Sequence, residues 1–519
     1  MAENGNRVDR LVEKTPWWVV SSFFHIVILM VAALLFGVGV MVQEDIPVVV
    51  RPAMIPIVIP EMEELPDLEY AEKLLDIPKK NDSPLFRKVE ERDQSQSDDD
   101  EFKKTNKEST DFTSDKPFQD RFLTDVIGRS MASAGAVFSP DSGRKWSLVD
   151  SGGGSKETES AVHAALRWLA RHQNQDGSWK AVSYTEECKK SKRNALGDIC
   201  NNEKGVPTYD SGVTGLAILA FLGAGYSHQS QDVYDGICFG EVVKKGLRWI
   251  VARQRTDGQI GESIRGRRTY NHLVCSLALT EGYSRTGASL LESPARQAVD
   301  FTLRMQNRGR PSQIGEYRFG WRYGIQPRDN DASVTGFAVM VLKSAELSGL
   351  AFPDSAYEGA SAFFDSVTDP HYYDVGYKTP HGNACRHKSM VGVASMYRLF
   401  VKRDRKSPKV EGGARILLAN LPTWETGQVD FYYWYYGSLA LFQYGGEAWQ
   451  KWNRAMVKAL LPHQWRNKDF CRNGSWDPSG CWGKYGGRVY ATAINALTLE
   501  VYYRYANVFT GQQGSLVRR

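Results

Sequence analysis

The sequence predicts an all-α protein: an α/α toroid of six helix pairs, preceded by one transmembrane helix and a disordered stalk. Three observations support this prediction. The chain of 519 residues has an uncharged apolar stretch near its N-terminus, a polar acidic segment after it, and internal repeats over residues 156–505. Its 42% hydrophobic and 24% charged residues are typical of a chain that is mostly globular.

The first predicted element is a membrane anchor at residues 16–42. No Asp, Glu, Lys or Arg lies between Lys14 and Glu44, and the apolar run exceeds the about 20 residues that span a bilayer core. No small-residue cleavage site follows, so we expect an uncleaved anchor. Basic residues precede the anchor, and only Arg51 follows closely. The positive-inside rule therefore predicts a single-pass protein of the cell membrane, with residues 1–15 cytoplasmic and the toroid periplasmic.

Within the anchor, Ser21 and His25 are one helical turn apart. This S-x-x-x-H pattern resembles that of TonB-type energy transducers, which contact a proton-driven motor in the membrane. An intramembrane histidine is a candidate functional group. The resemblance implies a membrane protein complex formed through Ser21 and His25; the alternative is a polar pair tolerated near the membrane surface.

Residues 43–155 are predicted to be a disordered linker. Five prolines between residues 47 and 66 interrupt a Val/Ile-rich stretch and favour an extended stalk. Glu90–Lys116 is polar and almost free of large aliphatic side chains, as disordered segments are. Ser151–Ser155 contains three consecutive glycines and is expected to be a flexible joint. At the other end of the chain, residues 506–519 are expected to form a tail.

Residues 156–505 contain six similar apolar segments, each opened by one polar residue. The clearest copies begin at Asp210 and Asp331 and share Val-Thr-Gly and Ala at the same positions. The looser copies begin at Asn271, His387, Asp430 and Arg488. An amphipathic segment with helical spacing precedes each copy. Because half-polar helices belong outside and wholly apolar ones inside, these pairs predict a ring of inner helices surrounded by outer ones.

The ends of the outer helices carry a repeated motif. Gln173 to Trp179 reads QNQDGSW, and weaker versions begin at Gln254 and Gln464. This pattern resembles the Q-x-x-x-G-x-W motif of squalene-hopene and oxidosqualene cyclases. The chain is thus similar to the terpenoid cyclase and protein prenyltransferase superfamily, and to bacterial membrane-anchored proteins with prenyltransferase and squalene-oxidase repeats. The resemblance implies an α/α toroid. We expect the motif itself to be structural, with Gln binding backbone at a helix end and Trp packing.

The resemblance also implies a catalytic acid. Squalene-type cyclases protonate their substrate with a D-x-D-D motif that opens an inner helix, and Asp329-Asn-Asp331-Ala332 stands at the matching place. The family's proton donor corresponds to Asp331. The motif is degenerate, because Ala332 replaces its last Asp. The alternative is that Asp331 is a helix N-cap, a role that is also expected of Asp210 in the duplicated copy.

The polar residues that open the repeats are expected to surround one mouth of the toroid and to form a ligand site there. Aromatic side chains of the last inner helices would face an apolar ligand below them. The candidate ligand-binding residues are Asp210, Asn271, His387, Asp430, Tyr433, Trp434, Tyr436, Arg488 and Tyr490. Six consecutive aromatic residues point all round a helix, so some of these rings must be packing.

The seven cysteines favour disulfides over a metal site. Cys188/Cys200 and Cys471/Cys481 have separations that suit local disulfides in an oxidising compartment. Cys275 is expected in the core, and Cys238 stays unassigned.

Protein prenyltransferases bind zinc through Asp, Cys and His side chains, and one segment of this chain can be compared with that site. His381, Cys385 and His387 lie close in sequence, but the D-x-C placement of that family is missing. We therefore predict neither a metal nor another cofactor.

The sequence as a whole predicts a membrane-anchored extracytoplasmic repeat protein that binds an isoprenoid or another apolar or amphipathic ligand in the toroid. One alternative is an active divergent terpenoid cyclase, an isomerase or lyase with Asp331 as general acid. Another is a scaffold coupled to a TonB-type motor. A carboxylate pair of Asp331 with Asp210 or Asp430, as in glycoside-active toroids, also stays open. The chain has no dense Lys/Arg run, which argues against nucleic-acid binding.

Overall fold

The computed structural model describes His25 and residues 149–190, 200, 205–307, 320–327, 329–380, 388–468 and 470–504. Met1–Pro66 and Asp67–Arg519 form separate units, and the architecture below belongs to the second. Among these described residues, no helix is long and apolar enough to cross a membrane.

Several predictions fall outside the described part of the chain. The anchor at 16–42 lies outside it except for His25, as do the linker from 43 to 148 and the tail at 506–519. The membrane anchor, and the complex through Ser21 and His25, stay predictions.

Twelve helices of the described residues alternate between an outer and an inner layer. In chain order they are α1 (Lys156–Arg171), α2 (Asp210–Ala224), α3 (Phe239–Ala252), α4 (Thr269–Thr286), α5 (Ser289–Met305), α6 (Ala332–Leu347), α7 (Ser355–Ser366), α8 (Ser389–Tyr397), α9 (Pro408–Ala419), α10 (Phe431–Tyr444), α11 (Gly446–Leu460) and α12 (Gly483–Leu499). The odd-numbered helices are outer and the even-numbered ones inner.

Short elements connect these helices. They are the helices Thr185–Lys190 and Val501–Arg504, the 3₁₀ turns Pro207–Tyr209, Gly266–Arg268 and Leu461–His463, the π turn Arg398–Lys402, and an antiparallel pair of strands, Val233–Tyr234 and Ile237–Cys238.

The inner helices form a closed ring. Each packs against the next one along the chain, and α12 packs against α2. Each outer helix packs against its inner partner, and α1 contacts both α12 and α2 at the point where the ring closes. The chain therefore forms the all-α ring of six helix pairs that the repeats predict.

Burial explains the two layers. Outer helix α3 buries a stripe that includes Val243, Leu247 and Ile250, whereas Glu241 and Lys245 face solvent. Inner helix α2 buries 13 of its 15 residues, because it is surrounded by other helices. The same contrast in apolar pattern is what separates the two layers in the sequence.

The repeated motif ties three of the outer helices, α1, α3 and α11, to the next outer helix. Gln173 follows α1, and its side-chain amide donates hydrogen bonds to the carbonyls of Gly177 (2.9 Å) and of Val242 in α3 (2.8 Å). The same pair of bonds joins Gln254 to Gly258 and Pro294, and Gln464 to Gly474 and Ala161. Since Gln464 follows α11 and Ala161 lies in α1, the last of these ties closes the outer layer.

The tryptophans of the motif bond to the helix that precedes them. The indole N–H of Trp179 donates to the carbonyl of Leu169 in α1, and that of Trp476 donates to Leu460 in α11, both at 2.8 Å. Trp321, which the sequence pattern does not single out, makes the equivalent bond to Thr302 in α5 at 2.7 Å. The predicted structural role of the motif is confirmed by these contacts.

The expectation of a flexible joint at Ser151–Ser155 is wrong. The indole N–H of Trp449 donates to the carbonyl of Gly152 at 2.7 Å, and the amide of Asn453 donates to Gly153 at 2.6 Å. A Cβ on Gly154 would lie 2.6 Å from the ring of Tyr502. The glycines therefore let this segment pack closely against the last helices of the ring.

Candidate functional site

An apolar cavity of about 130 Å³ lies inside the ring, and we call it the mouth cavity. The N-terminal halves of five inner helices supply most of its walls, which shows that these helix ends meet at one mouth. The aliphatic and phenyl part of the wall consists of Val213, Leu216, Val274 and Phe337. The remaining rings are Tyr209, Tyr270, Tyr432, Trp482, Tyr485 and Tyr490.

Arg267 lies at the edge of the mouth cavity. The guanidinium of Arg267 is 5.1 Å from the ring centre of Tyr485 and 6.0 Å from that of Trp482, and it also donates to the Tyr485 hydroxyl. The Arg267 side chain is exposed, so its charge stays solvated while its planar group covers the two rings. The cavity thus combines an apolar interior with a cationic rim.

A chain of hydroxyl groups crosses the wall of the mouth cavity. The Tyr270 hydroxyl in α4 donates to Ser333 Oγ in α6 at 2.9 Å, and Ser333 Oγ is 2.7 Å from the Tyr432 hydroxyl in α10. Burial raises the pKa of both tyrosines, so they stay neutral and act as hydrogen-bond partners. The chain joins three inner helices and satisfies these hydroxyls without a ligand.

Two of the predicted ligand-binding residues line the mouth cavity: Asn271 and Tyr490. The Asn271 amide donates to the carbonyl of Thr208 at 2.7 Å and to Glu262 Oε2 at 2.9 Å. These bonds fix the amide at the wall of the cavity. The role of Asn271 is therefore partly structural, and its role in binding stays a prediction.

Asp331 lies beside this cavity and does not line it. It is fully buried as the N-cap of α6, where Oδ1 accepts a hydrogen bond from the Val334 N–H at 2.7 Å. Oδ2 is 3.6 Å from Arg322 Nε. Burial raises the pKa of Asp331 to about 7, against the lowering effects of the Val334 N–H, the Tyr377 hydroxyl and Arg322. Burial therefore favours the protonated form of this carboxyl compared with an exposed aspartate.

Asp430 and Asp210 both lie at the start of an inner helix, but only Asp430 is an N-cap. Asp430 is the N-cap of α10 and accepts from the Tyr433 N–H at 3.1 Å, and burial raises its pKa to about 6. Asp210 begins α2 and accepts from the Ala181 N–H at 2.8 Å, and burial raises its pKa as well. The N-cap alternative is therefore confirmed for Asp331, and Asp430 is an N-cap as well. It is wrong for Asp210, because Tyr209 is the N-cap of α2 and the Asp210 carboxylate binds the N–H of Ala181, outside that helix.

The structure does not bring the other candidates to the mouth cavity. Arg488 is buried and donates to Ser475 Oγ (2.9 Å) and to Asp477 (2.5 Å). The Tyr433 hydroxyl donates to the carbonyl of Asn420 at 2.7 Å, after outer helix α9. Trp434 packs against Trp424 and Phe431, and Tyr436 packs against Phe337 and Tyr432. His387 lies outside the described residues.

The two predicted disulfides are wrong. The structure joins none of Cys188, Cys200, Cys471 and Cys481 in a disulfide, and the first three converge on His172. Hydrogen bonds from the Cys200 and Cys471 thiols lower the pKa of Cys188. The same hydrogen bonds to Cys188 raise the pKa of Cys200 and of Cys471. Cys275 is buried, as expected.

Three residues were compared above with the zinc site of the protein prenyltransferases. His381, Cys385 and His387 lie outside the described residues.

No family model and no curated protein matches the chain. The structure is similar to an inactive variant of an α-1,6-mannanase, GH76A of Salegentibacter sp. HEL1_6, with a TM-score of 0.44 and 13% identity over 67% of this chain and 99% of that one. A variant of type II terpene cyclase MstE from Scytonema has a TM-score of 0.41 and 10% identity over 69% and 98%. An α-amylase from Clostridium perfringens has a TM-score of 0.39 and 10% identity, over 67% of this chain and 98% of that one. These likenesses carry no inference about substrate or reaction.

The buried carboxyl of Asp331 predicts a pH dependence of stability. Its folded pKa of about 7 is above its unfolded value, so the stability that the protonated carboxyl contributes is lost as pH rises towards 7. Asp331→Asn keeps an N-cap acceptor and cannot ionise. Between pH 5 and pH 8, the free energy of unfolding of this variant is expected to decrease by roughly 1–3 kcal/mol less than that of the wild type. Urea unfolding at the two pH values measures the difference.

The control for this measurement is Asp300→Asn, which changes an exposed carboxyl on α5. An equal change in the pH dependence of both variants would contradict the assignment to Asp331.

Proposed function

We propose that this chain is a membrane-anchored binding protein whose toroid takes an apolar or amphipathic ligand in the mouth cavity. The observation that carries the proposal is the lining of that cavity: aliphatic and aromatic side chains inside, and Arg267 at the rim. Such a combination of a mostly apolar pocket with a few polar groups is typical of small-molecule sites.

The shape of the site supports a short isoprenoid with a polar or anionic end. A cavity of about 130 Å³ is similar in size to a cavity of about 150 Å³ that holds one benzene molecule, so it would enclose roughly one isoprene unit, and the rest of a short prenyl chain would extend past the rim. The apolar end would contact Leu216, Val274 and Phe337, and the polar end would lie near Arg267. The predicted anchor would keep this site close to lipid.

The position of the acidic groups supports binding rather than catalysis. Asp331 and Asp430 are both fully buried, and each uses one oxygen to cap a helix. Neither one lines the mouth cavity. A ligand in the cavity would therefore meet hydroxyls, rings and Arg267 before it met a carboxyl group.

Titration of the full chain in lipid nanodiscs with farnesol and farnesyl monophosphate tests the proposal. Leu216→Trp fills the cavity and is expected to weaken binding of both compounds at least tenfold, which corresponds to about 1.4 kcal/mol. Arg267→Ala is expected to weaken binding of the phosphate and to leave that of the alcohol unchanged.

The matched control is Leu290→Trp, the same change on outer helix α5. It is expected to bind like the wild type. Absence of binding to the wild type, or equal affinity of the wild type and Leu216→Trp, would contradict a ligand site at the mouth.

One observation favours an active terpenoid cyclase as the second candidate. Asp331 has a pKa of about 7, so a neutral carboxylic acid is present that could serve as a proton donor. Incubation with squalene and shorter prenyl compounds tests this function. A cyclised product that the wild type forms and Asp331→Asn does not form would establish it, whereas turnover that survives in Asp331→Asn would exclude Asp331 as the acid.

A further inference from the structure

We propose that His172, Cys188, Cys200 and Cys471 form a structural zinc site at the closure of the toroid. Their four candidate ligand atoms all lie within 4.8 Å of one another. His172 follows α1, Cys188 lies in the helix Thr185–Lys190, and Cys200 precedes α2. Cys471 comes from the far end of the chain, between α11 and α12. The site is separate from the mouth cavity, which none of these residues lines.

The distances suit a tetrahedral ion. His172 Nε2 is 3.3 Å from Cys188 Sγ, 3.3 Å from Cys471 Sγ and 4.0 Å from Cys200 Sγ. With Zn–S bonds of about 2.3 Å and Zn–N bonds of about 2.0–2.1 Å, the corners of a tetrahedron are about 3.5–3.8 Å apart. The observed distances scatter around that range, so an ion at the centre needs only small side-chain shifts.

The histidine is oriented for metal binding by its other nitrogen. His172 Nδ1 is 2.7 Å from the carbonyl of Trp168, which can only accept, so Nδ1 carries the proton. The unprotonated Nε2 therefore points at the three sulfurs. The ring is also held by stacking on Trp168 at a centroid distance of 4.1 Å. A backbone carbonyl that fixes the imidazole tautomer is the usual support of a zinc-binding histidine.

The surroundings also favour zinc and a structural role. All four residues are at most 1% exposed, so the protein itself fills the four positions and leaves none for a substrate. Three thiolates and one imidazole are soft ligands, which bind Zn²⁺ in preference to Mg²⁺ or Ca²⁺. Closed sites with three cysteines and one histidine are a recurrent form of structural zinc site.

A disulfide explains this cluster less well. One bond would use two of the three sulfurs and leave the third thiol buried beside an imidazole. The hydroxyl of Tyr184 donates to the carbonyl of Cys200 at 2.8 Å and so holds the Cys200 backbone in place beside the other ligands. The arrangement thus uses all three sulfurs and the histidine together.

The position of the site gives it a function in closing the ring. His172 and Cys471 are 299 residues apart, and neighbouring Arg171 donates to the carbonyl of Asn473 at 3.0 Å. A zinc ion would therefore link the first helix pair to the last one. Because such a site does not exist in the unfolded chain, the binding energy of the metal adds to the stability of the closed toroid.

Metal analysis of the full chain tests the proposal. After purification without chelators, inductively coupled plasma mass spectrometry is expected to find one zinc per chain. Cys471→Ser is expected to lose this zinc almost completely. Cys238→Ser, the same change at a cysteine outside the cluster, is expected to keep it.

Two measurements on the wild type keep the test decisive if Cys471→Ser fails to fold. Exchange with Co²⁺ is expected to give the sulfur-to-metal absorption of a tetrahedral thiolate site. Peptide mapping after denaturation without reductant is expected to find Cys188, Cys200 and Cys471 all open to alkylation. Absence of zinc, iron in its place, or a disulfide among these three cysteines would overturn the proposal.

Discussion

Gly474→Ala is expected to lower the free energy of unfolding by roughly 2–6 kcal/mol, the sum of backbone strain and a steric clash. Gly474 has φ +94°, which L side chains rarely adopt. An alanine Cβ there would lie 2.1 Å from the carbonyl oxygen of Ala164 in α1. Because the backbone fixes the positions of both atoms, the clash can be relieved only if α1 and the loop that holds Gly474 move apart, which would weaken the closure of the ring.

Gly236→Ala is the matched control, because Gly236 has φ +79° and, among the described residues other than its chain neighbours, nothing lies within 4 Å of its Cβ position. It isolates the backbone strain, about 1–3 kcal/mol. Gly177→Ala, whose Cβ would lie 2.3 Å from the carbonyl of Lys245, is expected to resemble Gly474→Ala. Urea unfolding measures all three variants, and equal losses for Gly474→Ala and Gly236→Ala would exclude the clash.

Arg504→Leu is expected to lower the free energy of unfolding by about 3–5 kcal/mol near pH 8. Arg504 is 1% exposed, and its Nη2 donates to both carboxylate oxygens of Glu281 in α4, at 2.7 and 2.9 Å. Burial raises the pKa of Glu281, and Arg504 opposes that effect. Without the Arg504 guanidinium, the buried Glu281 carboxylate would lose its hydrogen-bonded counter-charge, and Arg285 would be the remaining arginine that lowers its pKa.

The pH dependence distinguishes this mechanism from lost packing. In Arg504→Leu the folded pKa of Glu281 rises further above its unfolded value, so the loss of stability is smaller at pH 5 and grows as pH rises. Arg265→Leu, which removes an exposed arginine, is expected to change stability by less than about 0.5 kcal/mol. A loss for Arg504→Leu that is the same at pH 5 and pH 8 would contradict the charge argument.

The ring could be predicted because its signals are local. Helix α2 has apolar residues on all sides, and α3 has a single apolar stripe. The pattern within about four turns of one helix therefore predicts whether that helix is inner or outer. The motif that begins at Gln173 recurs at the ends of other outer helices for the same structural reason. The six similar segments, of which those at Asp210 and Asp331 match best, then predict the number of pairs.

The candidate sites could be predicted only in part, because they depend on contacts between distant helices. The spacing within Cys188/Cys200 and within Cys471/Cys481 suggests local disulfides, whereas Cys471 lies with Cys188 and His172 only because the ring closes. One signal was available: Cys471 lies inside the insertion of the last Gln motif, next to α1 in a closed ring. The partners of Arg488, in turn, come from a loop whose path the sequence does not specify.

The closure of the outer layer also determines when the toroid can finish folding. Gln464 and Ala161 are 303 residues apart, so at 5–20 residues per second a ribosome makes the second partner about 15–60 s after the first. Throughout that interval the apolar stripe of α1 has no last helix pair to cover it, and His172 has no Cys471. Newly made chains are therefore expected to need protection from aggregation until translation is nearly complete, and truncation before residue 464 should leave every earlier helix pair without a closed ring.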